Sequence, residues 1–165
     1  MTDIVATIVS QWRDERPDLD PTPMLVVGRI HRLAHMLNVA LRPPFAEAGL
    51  GPGDFDVLAA LRRSGPAVSR TPKELRDALM VTQGAVTKQV DRLLRKGLVT
   101  RDVSPDDARG RTVTLTDAGV ILIDELIAVH LENERRLLAA LSAAQIAELG
   151  RLLGILAEDL ESRDG

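Results

Sequence analysis

Hydrogen-bonding and basic side chains gather at the start of one predicted helix. The segment from Gln83 to Lys96 reads QGAVTKQVDRLLRK, and its apolar residues recur at helical spacing, so one face is predicted to pack inward. That inward face consists of Val86, Val90, Leu93 and Leu94. The opposite face can hydrogen-bond to base edges, pair with phosphates or let the backbone approach DNA, and it carries Gln83, Gly84, Thr87, Lys88 and Arg92. The same residues are also ordinary on a solvated helix face, so the flanking elements must decide.

Arginines follow in a turn between two extended segments, Leu98–Val103 and Thr112–Leu115. The turn holds Arg109 and Arg111, whose long stems suit a narrow minor groove. The alternative is a salt-bridged hairpin in which a preceding aspartate holds an arginine, and it is compatible with DNA contact. Three further basic residues are candidate phosphate contacts, which position a domain without reading sequence: Arg70, Lys73 and Arg95.

Residues typical of helix caps mark the ends of two short helices at this surface. Thr71 is a predicted N-cap with Pro72 next and Glu74 three residues on, the pattern of a capping box. Thr82 caps the following helix, and Gly97 ends it. A helix-turn-helix that runs directly into a basic hairpin predicts contact with a DNA groove and its backbone together.

The rest of the chain is predicted to be helical. Apolar spacing indicates a helix over residues 2–14, a proline-rich linker over 15–23, and a long helix from Met24 that Pro43-Pro44 interrupts. Another helix spans Asp54–Arg63. Two long helices follow the hairpin, from Thr116 to about residue 141 and from Ser142 onward. The helix from Ser142 onward carries a leucine-rich stripe that is long for a protein of this size. This favours packing of the stripe against a second subunit.

The predicted fold is therefore mostly α with a small two-stranded β-wing. It is a winged helix-turn-helix with N- and C-terminal dimerisation helices. Residues 1–48 are assigned to N-terminal helices for dimerisation and a ligand pocket, residues 49–115 to the DNA-binding domain, and residues 116–165 to the C-terminal dimerisation helices. With 45% hydrophobic but 2% aromatic residues, the core must be aliphatic, which suits packed helices.

Charge and composition narrow the function further. Residues 62–111 hold 12 Lys and Arg against 6 Asp and Glu, a net +6, whereas the remainder holds 9 against 18, a net −9; together they give −3. A basic middle between acidic flanks is typical of a nucleic-acid footprint. The absence of cysteine excludes disulfides and thiolate sites. No apolar run approaches the ~20 residues of a membrane span, and the N-terminus lacks a basic start, so we expect a cytoplasmic protein without membrane contact.

Several sequence blocks resemble the MarR family of multiple-antibiotic-resistance-type regulators in order and spacing across roughly residues 24–160. They are Gly49-Leu50, residues 55–61 (FDVLAAL), residues 71–75 (TPKEL), Val86-Thr87, residues 90–93 (VDRL), residues 96–101 (KGLVTR), Asp107-Ala108-Arg109 and residues 115–119 (LTDAG). The resemblance implies a homodimer whose terminal helices interleave, with one winged domain per subunit. The family's Asp-Arg-Arg wing signature falls on Asp107-Ala108-Arg109, where Ala108 departs from it, and Arg111 is available to replace the missing contact.

The resemblance also implies a ligand site, because members of this family often release DNA when a small organic acid or phenol binds between the dimer helices and the winged domain. The extra N-terminal helix is similar to that of the urate-responsive branch. Four residues match that branch's ligand contacts: Trp12, Asp56, Arg63 and Arg101. Gln89 stands where the branch has another arginine, which weakens the case for a strongly anionic purine.

The residues themselves leave alternatives at each of these positions. Asp56 and Arg63 share a helix face, where they form either a ligand contact or a structural salt bridge. Trp12 is either a ligand wall or core packing. His31 and His35 are four apart and could reach one metal. No third ligand is identifiable, so no metal is predicted and both histidines are assigned to a pocket lining.

The sequence thus predicts a transcriptional regulator, a repressor, that binds a palindromic double-stranded DNA operator as a homodimer. Twofold symmetry predicts half-sites ~10 bp apart. An anionic or aromatic small molecule is the expected effector, and no cofactor is expected. The alternative is a constitutive or architectural DNA-binding protein without an effector. An enzyme is not supported, because the sequence offers no nucleophile–base set and no phosphate-binding glycine loop.

Overall fold

The computed structural model describes residues 3–65, 68–79, 82–103 and 111–163. The chain divides into two compact units, residues 1–43 and 44–165, each considered by itself. No helix in the described ranges is long and apolar enough to cross a membrane.

The first unit is a pair of helices, α1 (Ile4–Glu15) and α2 (Pro23–Leu41). Asp3 caps α1 by accepting from the amide of Val5 at 3.0 Å, and its other carboxylate oxygen accepts from Arg29 of α2 at 2.6 Å. Gly28 lets α2 approach α1 closely, because a Cβ there would lie 3.0 Å from a methyl of Val5. Val5 and Val9 are buried in this contact, so both predicted helices and the linker between them are confirmed.

The second unit contains six helices among the residues described here. The short α3 (Pro43–Glu47) shows that the Pro43-Pro44 pair starts a new helix rather than extending α2. The others are α4 (Asp54–Arg62), α5 (Pro72–Leu79), α6 (Gln83–Arg95), α7 (Asp117–Leu137) and α8 (Ala143–Arg163).

Helix α4 lies at the centre of the hydrophobic core. Val57, Leu58 and Leu61 are 0% exposed, because α5, α6, α7 and the sheet all pack around this helix. Phe55 also stacks on Phe45 of α3, with ring centroids 4.2 Å apart. Most of α4 is therefore buried, while Asp56 and Arg62 remain exposed.

The sheet has three antiparallel strands in the order β1-β3-β2: β1 (Ser69–Arg70), β2 (Val99–Val103) and β3 (Arg111–Leu115). Strands β2 and β3 form the predicted wing, with Thr100 opposite Thr114. The prediction of a two-stranded sheet is corrected by β1, which pairs Ser69 with Thr114. Two residues are too few to show the alternation by which a strand is recognised in sequence.

The last two helices differ in how much of their surface is covered. Gly119 brings the start of α7 against the chain before β2, because a Cβ there would lie 2.1 Å from the carbonyl oxygen of Leu98. By contrast, every residue of α8 is exposed. Large apolar side chains make up a stripe along α8: Ile146, Leu149, Leu152, Leu153, Ile155, Leu156 and Leu160.

Candidate DNA-binding face and ligand cleft

Helix α6 has one buried and one exposed face, as its periodicity predicts. Thr82 caps it, its hydroxyl accepting from the amide of Ala85 at 3.3 Å. Val86 and Val90 are 1% exposed and Leu93 is 0% exposed, so the apolar side locks α6 onto α4. The first turns of the helix thereby project their other side away from the core.

The outward side of α6 carries exposed Gly84, Thr87 and Lys88, whereas the predicted contact of the Gln83 side chain lies outside what the structure describes. A Cβ added at Gly84 would meet nothing within 4 Å, so the helix surface there is open to a large partner. Backbone amides at a helix start carry partial positive charge, and Lys88 adds a full one. This surface can therefore bind an anion such as a phosphate and present hydrogen-bonding groups beside it.

Arg92 is not part of that outward face. Its guanidinium forms an ion pair with Asp54 at the start of α4, with Nη2 2.6 Å and Nε 3.0 Å from Oδ1. Nη2 also donates to the carbonyl of Pro52 at 2.8 Å. Asp54 is 0% exposed, and a buried carboxylate requires a counter-charge. The prediction of Arg92 as a DNA-facing residue is corrected, because its side chain joins α6 to α4.

The other basic residues that were predicted to contact DNA differ in whether their side chains already form hydrogen bonds within the chain. Lys73 is exposed in the first turn of α5, and Arg111 is exposed at the first position of β3. Arg70 donates through Nε to the carbonyl of Ala60 at 3.2 Å, and Arg95 donates to the carbonyl of Asp91 in its own helix at 3.2 Å. Arg109 lies outside the described residues.

A cleft of about 450 Å³ opens between α4, α5, α6 and α7. It brings together Asp56 and Arg63, the acid and base predicted for a ligand site, and adds Gln89 from α6. In the described ranges, neither the Asp56 carboxylate nor the Arg63 guanidinium is in an ion pair, so the structural salt bridge between them is not formed. Its apolar walls are Phe55, Ala59, Ala78, Leu79, Ile127 and Leu131.

His130 and Glu134 complete the cleft from α7, and the sequence predictions missed both. His130 Nε2 lies 3.1 Å from Glu134 Oε1, and the imidazole ring tilts against Phe55 with centroids 4.9 Å apart. Their spacing of four on a predicted helix was a usable signal of a pair. What the sequence could not show is that α7 packs on α4 with this pair toward Asp56 and Arg63.

Two buried polar atoms in the cleft residues have no hydrogen-bond partner among the described residues: Gln89 Oε1 and His130 Nδ1. The Gln89 amide is set by Gly53, since a Cβ at that glycine would lie 1.9 Å from Gln89 Nε2. Gly53 also has φ +76°, a conformation that favours glycine. The backbone before α4 is thus shaped to admit this side chain.

Of the remaining predicted ligand residues in the second unit, Arg101 is not among those that line this cleft. Arg101 on β2 forms an ion pair with Asp91, Nη2 to Oδ1 2.9 Å. Trp12 belongs to the first unit and is 47% exposed, while His31 and His35 are exposed on α2. His31 lines a groove of about 500 Å³ between α1 and α2. In the parts of the chain that are described, no three His, Cys, Asp or Glu side chains are grouped to hold a metal.

The chain combines a helix-turn-helix, formed by α5 and α6, with a β-wing beside it, and the second of these helices has an exposed, basic face. This arrangement defines a winged helix-turn-helix DNA-binding protein. The comparisons with known proteins identify its family. A model of the MarR family matches residues 48–110. The chain is 39% identical over 150 residues to the transcriptional regulator PecS of Dickeya dadantii, covering 91% of this chain and 90% of PecS. This chain belongs to the MarR family.

Solved structures agree with that assignment. The chain is similar to wild-type MarR from Escherichia coli without ligand, with a TM-score of 0.62, 32% identity, and coverage of 76% of this chain and 94% of MarR. It is also similar to a cysteine-to-serine variant of MarR bound to operator DNA, with a TM-score of 0.68, 29% identity, and coverage of 88% and 96%. The proteins that it resembles are transcriptional regulators and not enzymes.

Proposed function

We propose that this protein is a ligand-responsive transcriptional repressor that binds a palindromic operator as a homodimer. The observation that carries the proposal is the exposed start of α6, where Gly84 and Lys88 project from a helix that is locked onto the core by its other side. A recognition helix needs this combination, because it must be rigid while its first turns enter the major groove.

The DNA contacts are proposed in three groups. Gln83, Gly84, Thr87 and Lys88 meet base edges and nearby phosphates from α6. Arg109 and Arg111 serve the wing, and Lys73, Arg70 and Arg95 hold the backbone. Lys73 and Arg111 are exposed, whereas Arg70 and Arg95 must exchange intramolecular hydrogen bonds for phosphate contacts, so we expect the former two to contribute more.

Dimerisation is supported by the uncovered apolar surface of α8. Its leucine and isoleucine side chains are 38–54% exposed in the single chain, and a contiguous apolar stripe of this kind is typical of an interface. A twofold dimer would present two α6 helices, and half-sites ~10 bp apart follow from that symmetry. A regulator of this kind acts where the chromosome lies, which is the basis for proposing a cytoplasmic location.

Release from DNA is proposed to begin at the cleft. Gln89 lines the cleft while its neighbour Lys88 lies on the outward face, so a ligand that moves α6 also moves the proposed DNA contacts. An aromatic effector would pack on Phe55 and Leu131, and an anionic group would pair with Arg63. Trp12 and Arg101 remain proposed ligand contacts through the resemblance to the urate-responsive branch. His31 and His35 remain proposed as polar residues that line a pocket.

Selection of binding sites from a pool of randomised duplexes tests the DNA proposal. We expect an enriched inverted repeat with half-sites about one helical turn, ~10 bp, apart. Enrichment without a repeat, or none, contradicts a palindromic operator and favours an architectural role. A thermal-shift panel of urate, xanthine, aconitate, citrate and salicylate then tests the effector, and no shift with any of them favours constitutive binding.

A further inference from the structure

We infer that Asp91 and Arg101 form a positioning pair for DNA binding, which holds the wing strand β2 in a fixed position relative to the recognition helix α6. The inference rests on the proposed function and deepens it, because it explains how the helix and the wing reach one duplex together. The pair is formed without a ligand, so this role is separate from the ligand contact proposed for Arg101.

The two side chains meet between α6 and β2. Arg101 Nη2 donates to Asp91 Oδ1 at 2.9 Å. Side chains alternate along a strand, so Arg101 shares a side of β2 with Val99, which is 2% exposed. This is the side by which β2 packs on the core, and α6 lies against the strand. Arg101 therefore extends the packed side of the wing by one further contact with the helix.

The start of β2 is already attached to the end of α6. Gly97, with φ +68°, ends the helix, and the amide of Leu98 donates to the carbonyl of Leu93 at 3.1 Å. The hydroxyl of Thr116 donates to the carbonyl of Gly97 at 2.8 Å. Arg101 lies three residues beyond Leu98, roughly 10 Å along an extended strand. A second attachment at that distance restricts rotation of the strand about the first.

Asp91 lies on the outward side of α6, where the DNA contacts are proposed. It follows Thr87 by four positions and Lys88 by three, the spacings at which residues of a helix are neighbours. A carboxylate on a surface that faces phosphates opposes binding by charge repulsion. The Arg101 guanidinium offsets that charge, and the ion pair uses the carboxylate to hold the wing.

The exposure of the pair separates a positioning role from a stabilising one. The side chains of Arg101 and Asp91 are 33% and 50% exposed, and exposed ion pairs contribute little to the free energy of unfolding. DNA binding by a helix and a wing depends more strongly on their relative position, because a contact that is displaced by about an ångström is weakened or lost. Loss of the pair should therefore change DNA affinity more than stability.

Fluorescence anisotropy with a duplex selected by the wild type distinguishes positioning from charge by the sign of one effect. Positioning predicts that Asp91→Asn weakens binding about fivefold or more, as expected when one good contact is lost. Charge alone predicts tighter binding, because a negative group is removed from a surface that faces phosphates. Asp102→Asn removes the same charge from an exposed position of β2 and is the matched control, which should bind at least as tightly as the wild type. Binding of Asp91→Asn that equals or exceeds that of the wild type overturns the inference.

Substitutions of Arg101 test whether the two residues act as a pair. Arg101→Gln should weaken DNA binding as Asp91→Asn does, and Arg101→Lys, which can keep the ion pair, should weaken it less. The double variant Asp91→Asn with Arg101→Gln should bind no more weakly than the weaker single variant, because one pair is lost in each case. Losses that add in the double variant overturn the inference. A urea midpoint that falls further in Asp91→Asn than in Asp102→Asn also overturns it, since the pair would then act through the stability of the fold.

Hydrogen exchange in the DNA-free protein separates this inference from the proposed function. The amides of β2 and β3 should exchange about threefold or more faster in Asp91→Asn than in the wild type, whereas Asp102→Asn should exchange like the wild type. Unchanged exchange in Asp91→Asn overturns the inference. If exchange rises but the wild type binds no duplex, the pair holds the wing and the DNA-binding proposal is wrong. If the wild type binds DNA and Asp91→Asn binds it equally well, the positioning role alone is wrong.

Discussion

The ion pair between Arg92 and Asp54 should make a large contribution to the stability of the winged domain. Asp54 is 0% exposed and accepts from the Gly51 amide at 2.9 Å as well as from Arg92. Replacing Arg92 with methionine leaves the buried carboxylate without a counter-charge, for which the expected cost is about 3–5 kcal/mol. The Arg92 side chain is 31% exposed, so water partly screens the pair and we expect the lower end, about 3 kcal/mol.

The opposite substitution should be milder. In Asp54→Asn the buried charge disappears, the carboxamide oxygen still accepts from the Gly51 amide, and Arg92 can turn toward water. We therefore expect a loss of about 1–2 kcal/mol, close to that of a hydrogen bond to a charged group. The double variant should lose less unfolding free energy than the sum of the two single losses. The reason is that Asp54→Asn removes the buried charge that Arg92→Met leaves without a partner.

Urea unfolding followed by circular dichroism measures these free energies. The protein concentration must be the same throughout, because a dimer's apparent stability depends on it. Arg135→Met is the matched control: Arg135 pairs with Glu132 on the surface of α7 and is 73% exposed, so little change is expected. The reasoning is refuted if Arg92→Met is no more destabilising than Arg135→Met, or is less destabilising than Asp54→Asn.

Three further perturbations probe the supports of the site. Thr71→Ala removes the hydroxyl that caps α5 and should cost about 1 kcal/mol in urea unfolding; an unchanged midpoint would contradict this. Gly119→Ala should cost more than about 2 kcal/mol, because its Cβ would lie 2.1 Å from the carbonyl of Leu98, and a near-neutral result would mean that α7 shifts freely. The Arg62 guanidinium holds the pKa of Asp124 below its usual value, so their mutual stabilisation is present above the unfolded-state pKa and is lost as the pH falls through the folded-state pKa. The stability of Asp124→Asn should therefore fall less than that of the wild type on acidification, and parallel pH profiles would contradict it.

Local signals allowed most of the helices to be predicted. Thr71 and Thr82 cap the helices that they were predicted to cap, since a cap depends on residues within one turn. The buried face of α6 followed from spacing alone. The sequence overestimated α7 by a few residues, because helix ends fray and the signal at residue 138 is weak.

Non-local contacts explain what the sequence could not show. The helical periodicity of α6 predicts that Arg92 faces DNA. In the structure its side chain instead pairs with Asp54, which is 38 positions away along the chain and could not be identified as its partner from local sequence. Likewise, His130 and Glu134 line the cleft through the packing of α7 on α4. Asp56 and Arg63 were predicted together because both lie on one helix.

The central claim, that the exposed start of α6 contacts DNA, is tested most directly by two lysines, one in the helix and one directly after its end. Fluorescence anisotropy with a selected duplex, at several salt concentrations, should compare Lys88→Ala with Lys96→Ala, which removes the same charge at the far end of α6. Lys88→Ala should weaken binding by about tenfold or more and reduce the salt slope by about one, while Lys96→Ala changes little. Equal losses in the two variants, or an unchanged affinity in Lys88→Ala, would contradict the claim.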